Sequence, residues 1–218
     1  MSVLDVSYLN EKYKDLSPEQ RIKEIYSDFD KILFTSSFGT TAVYILHLFY
    51  KQNIKQTVHF IDTTYHFRET LEYKKKLTEL FNLKVIDIVP DKEWNELTRK
   101  AQMWKYDPDQ CCSINKVAPF EKVKTNYDLW ISGLMHWQSD RRKKLEIFEK
   151  INGILRFYPV LDVSEKEVRD YIEKYRLPEH PLIRLGFESV GCTHCTMKGR
   201  KRQGRWISSI KTECGLHI

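Results

Sequence analysis

The stretch KILFTSSFGTTAVYILHLFY, residues 31–50, decides the fold of this chain. Residues 31–35 form a short apolar run that predicts a buried strand, and the small residues 36–40 follow it as a loop. Residues 41–50 are apolar almost all round, which indicates a buried helix. A strand that leads through a small-residue loop into such a helix is typical of a parallel sheet covered by helices.

The same alternation continues along the chain. Further short strands are predicted at residues 57–61, 85–89, 129–132 and 154–160. Capping boxes at Ser17 and Ser164 begin two amphipathic helices, and a third helix follows the second strand. An apolar stripe marks this third helix: Phe67, Leu71, Leu77, Leu80 and Phe81. We therefore predict an α/β fold, with a parallel sheet and helices on both of its faces.

The length of 218 residues is enough for one sizeable core. No repeat or linker divides the sequence, so we expect a single domain in three segments. These are an N-terminal helical segment at 1–30, an α/β core at 31–190 and a tail at 191–218. The tail is rich in glycine, cysteine and basic residues, which would not build a large core. We interpret it as a functional segment.

Composition and charge narrow the class of function. Hydrophobic residues make up 41% and charged residues 30%, as in ordinary soluble proteins. No apolar run approaches the length of a membrane span, and no signal-peptide pattern opens the sequence, so we expect a cytoplasmic protein. The net charge is +6, with basic clusters at 141–144 and 198–205. They favour an anionic ligand; nucleic acid is a weaker alternative, because no nucleic-acid-binding motif accompanies them.

Two strand ends are candidate ligand sites. Ligands of parallel sheets bind at the carboxyl ends of strands, where Ser36, Ser37 and Gly39 would offer backbone N–H groups to an anion. An ordinary tight turn is the alternative, because the loop has neither the Walker A pattern nor the dinucleotide fingerprint. Asp62 ends the next strand, where its carboxylate would bind a ribose hydroxyl or cap a helix.

Four of the five cysteines form two close pairs. Cys111 is adjacent to Cys112, and Cys192 is separated from Cys195 by two residues, of which one is His194. Four thiolates in two pairs suit zinc or an iron–sulfur cluster. Adjacent cysteines are unusual for a zinc knuckle, so we expect a [4Fe–4S] cluster. His194 is interpreted as a loop residue outside the site.

The fifth cysteine, Cys214, lies in the motif ECGLH at 213–217. An accessible thiol close to positive charge is a candidate nucleophile, and the basic run at 200–205 precedes it. A thiol that attacks a bound sulfate group must also reach an external reductant, so we expect this segment to move. An incidental thiol is the alternative interpretation.

Together these motifs resemble the adenylyl-sulfate and phosphoadenylyl-sulfate reductase family, in its assimilatory, cluster-bearing form. The similarity extends from Lys31 to His217 and rests on five motifs in the family's order. They are SSFG (36–39) before Ala42, IDT (61–63) with FRET (67–70), CC (111–112) with Lys116, Val117 and Pro119, GC (191–192) with CT (195–196), and GRW (204–206) with KTECGLH (211–217).

The resemblance implies an adenine-nucleotide alpha-hydrolase-like fold and a reductase of activated sulfate. Cys214 would attack the sulfur of adenylyl sulfate, AMP would leave, and a cysteine S-sulfonate would remain. Thioredoxin or glutaredoxin would then release sulfite through a mixed disulfide. The four paired cysteines would hold [4Fe–4S], which in this family is thought to tune the local electrostatics and not to carry the electrons away.

The resemblance also implies which residues contact the substrate: Ser36, Ser37, Phe38, Gly39, Asp62, Lys116, Arg142, Arg205 and His217. Three positions depart from the family's pattern. Met135 and His136 stand where two arginines are usual, and Asn115 stands where a basic residue is common. The cluster motif favours adenylyl sulfate, while the basic segment from Lys198 would suit the additional phosphate of 3′-phosphoadenylyl sulfate.

Two alternatives of other classes remain open at this stage. One is a sulfurtransferase or nucleic-acid-modifying enzyme on the same fold, against which the ECGLH motif argues. The other is a non-catalytic zinc-binding module that contacts nucleic acid through its basic face. A homo-oligomer is compatible with either reading of the sequence, and no membrane partner is expected.

Overall fold

A computed structural model describes residues 5–206 and 213–217. At its centre is a six-stranded sheet in the order β3-β2-β1-β4-β6-β5. The strands are β1 (Ile32–Thr35), β2 (Val58–Ile61), β3 (Val85–Ile88), β4 (Leu129–Ser132), β5 (Phe148–Ile151) and β6 (Ile154–Phe157). All neighbouring strands pair in parallel except β5 and β6. The predicted parallel sheet is confirmed, with one antiparallel strand added at its edge.

Helices surround the sheet. They are α1 (Val6–Tyr13), α2 (Pro18–Asp28), α3 (Ala42–Lys51), α4 (Arg68–Leu80), α5 (Lys92–Lys100), α6 (Met103–Tyr106), α7 (Pro108–Cys112), α8 (Ala118–Lys124) and α9 (Glu165–Lys174). A π-helical turn, Ser113–Val117, joins α7 to α8. None of the helices in the described part of the chain is long and apolar enough to cross a membrane.

Both faces of the sheet carry a core. Successive residues of a strand point to opposite faces, and in β1 Ile32 and Phe34 join the larger apolar cluster whereas Leu33 joins the smaller one. In β4 the same alternation sends Leu129 to the larger cluster and Trp130 to the smaller one. The predicted arrangement of helices over both faces follows from this division.

The two predicted capping boxes begin α2 and α9. Ser17 Oγ accepts from the amide of Gln20 at 3.2 Å, and Gln20 Oε1 accepts from the amide of Ser17 at 2.8 Å. The predicted stripe of α4 is partly wrong. Leu71 and Leu80 are exposed, and the buried face of the helix carries Thr70, Tyr73 and Leu77. A hydrogen bond favours this orientation of the helix, because the hydroxyl of Tyr73 donates to the carbonyl of Pro178 at 2.7 Å.

The β5–β6 hairpin and α1 were not predicted. Asn152 and Gly153 form the hairpin turn, with φ values of 51° and 81°. The last predicted strand, expected to run to residue 160, ends at Phe157. The side chain of Asn10 in α1 bonds both backbone groups of Phe148, at 3.0 Å and 2.8 Å, and so closes the outer edge of β5.

The order of the strands sets the position of the site. From β1 the chain adds β2 and β3 on one side, and β4 lies on the other side. Thr35, the last residue of β1, is paired with Ser132, the last residue of β4. The carboxyl ends of these two strands therefore flank the point where the strand order reverses, which is the usual ligand position in open α/β sheets.

Candidate active site

A cavity of about 1220 Å³ opens at the carboxyl ends of β1 and β4. Its walls come from the segments that follow these strands, from Lys116 in the π turn and from parts of the segments 165–183, 186–205 and 214–217. Eight of the predicted residues line it: Ser36, Ser37, Gly39, Lys116, Arg142, Arg205, Cys214 and His217. The fold thus brings residues from distant parts of the sequence to one cavity.

The loop after β1 turns at Phe38, whose φ is 47°. The amide of Ser36 donates to the carbonyl of His59 at 3.0 Å, and the amide of Phe38 donates to Ser36 Oγ at 3.2 Å. The ring of Phe38 is fully buried, with its centroid 5.7 Å from that of Phe60. The side chain of Phe38 packs in the core, outside the lining that the described residues form. The predicted contact of Phe38 with the substrate therefore stays a prediction, and the backbone of this loop is the part of the residue that would make it.

Asp62 also lies outside the described lining of the cavity. Its Oδ1 accepts from the amide of Thr64 at 2.8 Å, and Thr64 has a φ of 63°. The carboxylate thus stabilises a tight turn, because aspartate side chains commonly accept a hydrogen bond from the backbone amide two residues later. The alternative of a helix N-cap is wrong, because Phe67 is the N-cap of α4.

Cys214 is half-buried and faces the cavity. It lies close enough to Lys116, Arg202 and Arg205 for their charges to interact with its thiol. Burial and the charge of Arg142 together lower the pKa of Arg202 to about 10, yet the guanidinium stays protonated at neutral pH. The thiol is therefore placed among cations, the setting that favours a reactive thiolate.

Lys116 lies between Cys214 and the paired cysteines. Burial by itself would lower the pKa of this amine, but the charges of Cys214, Cys192 and Cys112 raise its pKa above the ordinary value. The ammonium group is therefore charged at all physiological pH values. Its position links the two groups of thiols through one cation.

Arg205 reaches the cavity past Gly191. Its Nη1 donates to the carbonyl of Val190 at 3.0 Å and to Ser189 Oγ at 3.4 Å, and its guanidinium lies 4.4 Å from the ring centroid of Trp206. A Cβ on residue 191 would overlap the guanidinium. Glycine at this position therefore gives Arg205 its path.

Glu213 anchors the segment that carries Cys214. Its side chain is only 2% exposed and accepts four hydrogen bonds. Arg142 donates from Nε and from Nη2, both at 3.0 Å, Arg202 donates from Nη2 at 3.1 Å, and Ser139 donates from Oγ at 2.9 Å. Burial alone would raise the pKa of this carboxyl, but Arg142 and Arg202 hold the pKa of Glu213 below its ordinary value.

His217 is stacked on Trp130, with ring centroids 5.2 Å apart and an interplanar angle of 11°. Burial lowers the pKa of His217 well below its ordinary value, and the nearby charges of Arg142 and Arg156 lower it further. The imidazole is therefore neutral at physiological pH. Leu216 packs beside it against the apolar cluster that contains Trp130 and Phe120.

The four paired cysteines lie in one region. Cys111 and Cys112 end α7 and are buried, Cys192 precedes the turn Thr193–Cys195, and Cys195 is its last residue. Burial and the charges of the other three thiols together raise the pKa of Cys111 to about 12. Burial and the charge of Cys192 likewise raise the pKa of Cys195 to about 11.

Polar side chains approach two of these sulfurs. Thr63 Oγ1 lies 3.3 Å from Cys192 Sγ, and Asn115 Nδ2 lies 3.6 Å from Cys111 Sγ. Asn115 is buried and also donates to the carbonyl of Cys111 at 2.9 Å. Among residues 5–206 and 213–217, no three histidine, cysteine or acidic side chains are grouped so as to hold a single metal ion.

The positions that depart from the family's pattern have structural roles. Met135 is fully buried in the larger apolar cluster. His136 Nε2 lies 3.0 Å from the carbonyl of Leu145, and the residue is not part of the described cavity lining. Neither side chain replaces an arginine in the cavity. Outside the site, His194 stacks on Trp104 with centroids 3.9 Å apart, as expected of a loop residue.

The sequence did not identify Glu213, Trp130 or Gly191 as parts of the site. In the sequence, Glu213 stands only as part of the motif KTECGLH at 211–217, without a predicted role of its own. Trp130 resembled an ordinary core residue of a buried strand. The basic segment from Lys198 contributes Arg200, Lys201 and Arg202 to the cavity wall, with Lys198 and Arg200 exposed.

Solved structures with the same fold place the chain in a class. It is similar to the crystal structure of phosphoadenylyl-sulfate reductase from Candida auris, in its phosphate complex, with a TM-score of 0.76 and 24% identity over 90% of this chain and 98% of that one. It is also similar to FMN adenylyltransferase from Candida glabrata, with a TM-score of 0.64 and 16% identity over 92% of this chain and 69% of that one. The predicted adenine-nucleotide alpha-hydrolase-like fold is confirmed.

Sequence comparison identifies the family within this class. Residues 31–198 match the phosphoadenosine phosphosulfate reductase domain. The chain is 37% identical to adenosine 5′-phosphosulfate reductase from Bacillus mycoides, over 88% of this chain and 87% of the relative, and 36% identical to the Bacillus cereus protein of the same name, over 88% and 86%. The chain belongs to the phosphoadenosine phosphosulfate reductase family, and the predicted family and enzyme class are confirmed.

Proposed function

We propose that this enzyme reduces adenylyl sulfate to sulfite and AMP, with Cys214 as the nucleophile. The observation that carries the proposal is the placement of the Cys214 thiol in the cavity at the carboxyl ends of β1 and β4, among Lys116, Arg202 and Arg205. Such cations favour the thiolate and also attract a sulfated nucleotide.

In the first step, the thiolate of Cys214 attacks the sulfur of the sulfate group. A sulfur–sulfur bond forms, the bond between sulfur and the bridging oxygen breaks, and AMP leaves with that oxygen. Lys116 and Arg205 are placed to stabilise the negative charge that builds up on the transferred group and on the leaving phosphate. His217, which is neutral, would offer a hydrogen bond without adding charge.

In the second step, a dithiol protein of the thioredoxin or glutaredoxin class attacks the sulfur of Cys214. Sulfite leaves with the electron pair of the broken sulfur–sulfur bond, and a mixed disulfide remains. The second thiol of the reductant resolves it, which regenerates Cys214. The two electrons therefore come from the dithiol, and the cavity must admit the partner after AMP has left.

The relatives named for adenosine 5′-phosphosulfate support adenylyl sulfate as the preferred nucleotide. The alternative substrate is 3′-phosphoadenylyl sulfate. Arg200 and Lys201 in the cavity wall favour this alternative, because they would compensate the charge of one more phosphate. We therefore expect turnover of adenylyl sulfate first, with the 3′-phosphorylated nucleotide as a competing substrate.

The paired cysteines are proposed to hold a [4Fe–4S] cluster. The donor set fits, because four sulfur ligands in two pairs suit this cluster, and each iron takes one thiolate. Burial and mutual repulsion raise the pKa of Cys111 and Cys195, so four bare thiolates would not share this region without a compensating cationic centre. Held by these four cysteines, a cluster would supply that compensation and would shape the electrostatics beside Lys116.

The activity is tested by sulfite release from each nucleotide with thioredoxin and its reducing system present. We expect release from adenylyl sulfate at a higher kcat/KM than from the 3′-phosphorylated nucleotide. Without thioredoxin, the peptide that contains Cys214 should gain the mass of one sulfonate. A strict requirement for the 3′-phosphate would reverse the substrate order, and an adduct on another cysteine would contradict the mechanism.

The cluster is tested separately on protein purified without oxygen. Iron and acid-labile sulfide should be present in equal amounts, with the brown colour of an iron–sulfur protein. Cys112→Ser should lose most of the iron, whereas Ser113→Ala, an exposed neighbour of Cys112, should retain it. Stoichiometric zinc without iron in the wild-type protein would show that the cofactor proposal is wrong.

A further inference from the structure

Glu213 is a buried carboxylate immediately before the nucleophile, and the mechanism above does not use it. Its two oxygens take all four of their hydrogen bonds from Ser139, Arg142 and Arg202. Arg142 also donates to the side chain of Gln138, which fixes the guanidinium from a second side. These hydrogen bonds to charged groups are directional, so they fix the position of the Glu213 carboxylate as well as compensating its charge.

The partners of Glu213 are cations that would otherwise face the substrate. Arg142 and Arg202 both line the cavity, and planar guanidinium groups bind sulfate and phosphate well. In this structure each is ion-paired with Glu213, at 3.0 Å and 3.1 Å. Lys116 and Arg205 also line the cavity, and neither forms an ion pair with Glu213 among the described residues.

We propose that Glu213 is a positioning residue that holds Cys214 in the cavity by binding Arg142 and Arg202, which leaves Lys116 and Arg205 to receive the sulfate group. This inference rests on the proposed function. It gives Arg142 and Arg202 the role of an anchor for the nucleophile and divides the four cations of the cavity into two pairs with different tasks.

Glu213 is adjacent to Cys214, so holding its side chain in place also restricts the position of the thiol. Consecutive Cα atoms are about 3.8 Å apart, so a rigid Glu213 leaves Cys214 little freedom. On the other side of the thiol, Leu216 packs against the smaller apolar cluster and His217 stacks on Trp130. Cys214 is therefore held from both sides, by ion pairs before it and by apolar contacts after it.

Removing the charge of Glu213 should raise the affinity for the nucleotide and lower the rate at which Cys214 attacks it. Removing one partner of a buried ion pair leaves the other charge uncompensated, here two guanidinium groups beside the cavity. An anionic nucleotide would supply the missing negative charge and bind more tightly. The thiol, released from its anchor, would attack less often. A residue with a purely structural role would weaken both binding and chemistry.

The variant Glu213→Gln removes the charge and keeps the size of the side chain. We expect the rate of S-sulfonate formation in a single turnover to fall at least tenfold. The dissociation constant for adenylyl sulfate, measured in a Cys214→Ser background to prevent turnover, should stay equal or decrease. Glu213→Asp, which retains the charge, should recover part of the rate. Glu72→Gln, at an exposed ion pair with Arg68, is the matched control and should change neither value.

A second measurement needs no substrate. The rate at which iodoacetamide alkylates Cys214, followed by peptide mass mapping, should rise at least threefold in Glu213→Gln and stay at the wild-type value in Glu72→Gln. If Glu213→Gln does not fold, Ser139→Ala deletes one of the four hydrogen bonds and should give a smaller rise. Wild-type alkylation rates in Glu213→Gln and Ser139→Ala, or a proportional loss of nucleotide affinity and S-sulfonate formation in Glu213→Gln, would overturn the proposal. If the wild-type protein forms no S-sulfonate, the proposed function fails while the alkylation rates still decide the role of Glu213.

Discussion

The protein places its cysteines in two environments that lie on either side of Lys116. Around Cys111 and Cys195, burial and neighbouring thiols raise the pKa, so these sulfurs need a cationic partner before they ionise. Around Cys214, the cationic neighbours are Lys116, Arg202 and Arg205, and the carboxylate of Glu213 is ion-paired with Arg202. The difference teaches that the surroundings, and not the residue type, distinguish the proposed cluster ligands from the proposed nucleophile in one small region.

The sharpest way to break this comparison is to exchange a thiol for a hydroxyl in each environment. Cys214→Ser should lower sulfite release on the order of a thousandfold or more, because the covalent step is deleted, while iron content stays normal. Cys112→Ser should instead lose iron. Activity and iron content measured on both variants give the test; loss of iron in Cys214→Ser would show that the two environments are not separate.

Lys116 is the cation shared by both environments, so its removal should affect each of them. Lys116→Met should lower kcat/KM by roughly 100-fold, because a preorganised charge near the transferred group is lost. The electron paramagnetic resonance signals of the proposed cluster, recorded after reduction, should also shift. Lys122→Met, at an exposed position of α8, is the control and should alter neither. A change in activity with an unchanged spectrum would place Lys116 with Cys214 alone.

Gly191 leaves room for the guanidinium of Arg205, one of the cations near Cys214. Gly191→Ala should displace the guanidinium of Arg205 and raise KM for adenylyl sulfate by about tenfold, since a charged contact with the substrate would be weakened. The same substitution in an Arg205→Ala background should have little further effect, because the two changes remove one interaction. Steady-state kinetics of the four proteins check this; fully additive losses would separate Gly191 from Arg205.

His180 is buried outside the described lining of the cavity, and its substitution is expected to have the smallest effect on activity. Burial lowers the pKa of His180 to about 4, below an unfolded value of about 6.5. The unfolded chain therefore binds more protons between these values, and stability falls as the pH falls through this window. Between pH 7 and pH 5 the loss attributable to His180 is about 2 kcal/mol. Denaturant unfolding should show a shallower pH dependence in His180→Asn, with turnover at pH 7 nearly unchanged; an equal slope would contradict the assignment.

The strands at the centre of the sheet were predictable because their physical signals are local. The apolar run of β1, the small residues after it and the all-round apolar α3 specify a buried strand and helix without any knowledge of the rest of the chain. The capping boxes of α2 and α9 are equally local. The hairpin was missed although Asn152 and Gly153 are a strong turn signal, because β5 contains two charged residues and has no clear alternation.

The site was predictable as a set of residues but not as an arrangement. Parallel strands bring the loop at Ser36 to one edge of the sheet, the basic run at 200–205 made Cys214 a candidate nucleophile, and the resemblance supplied Lys116 and Arg205. The direction of a side chain is not a property of the sequence motif, which is why Phe38 and Asp62 were assigned to the cavity and lie outside its described lining. The pairing of Glu213 with Arg142 was likewise not predictable, because it joins residues that only the fold brings together.

The π turn between α7 and α8 limits the insertions and deletions that this segment can accept. It places Lys116 toward the cavity while Cys111 and Cys112 lie in the preceding helix. Each residue of a regular helix advances by about 100° around its axis, so the loss of one residue from Ser113–Val117 would turn Lys116 away from the cavity by about that angle. Substitutions at exposed positions such as Ser113 leave this geometry intact. The spacing between the cysteine pair and the lysine is therefore under a stricter constraint than the identity of the residues that fill it.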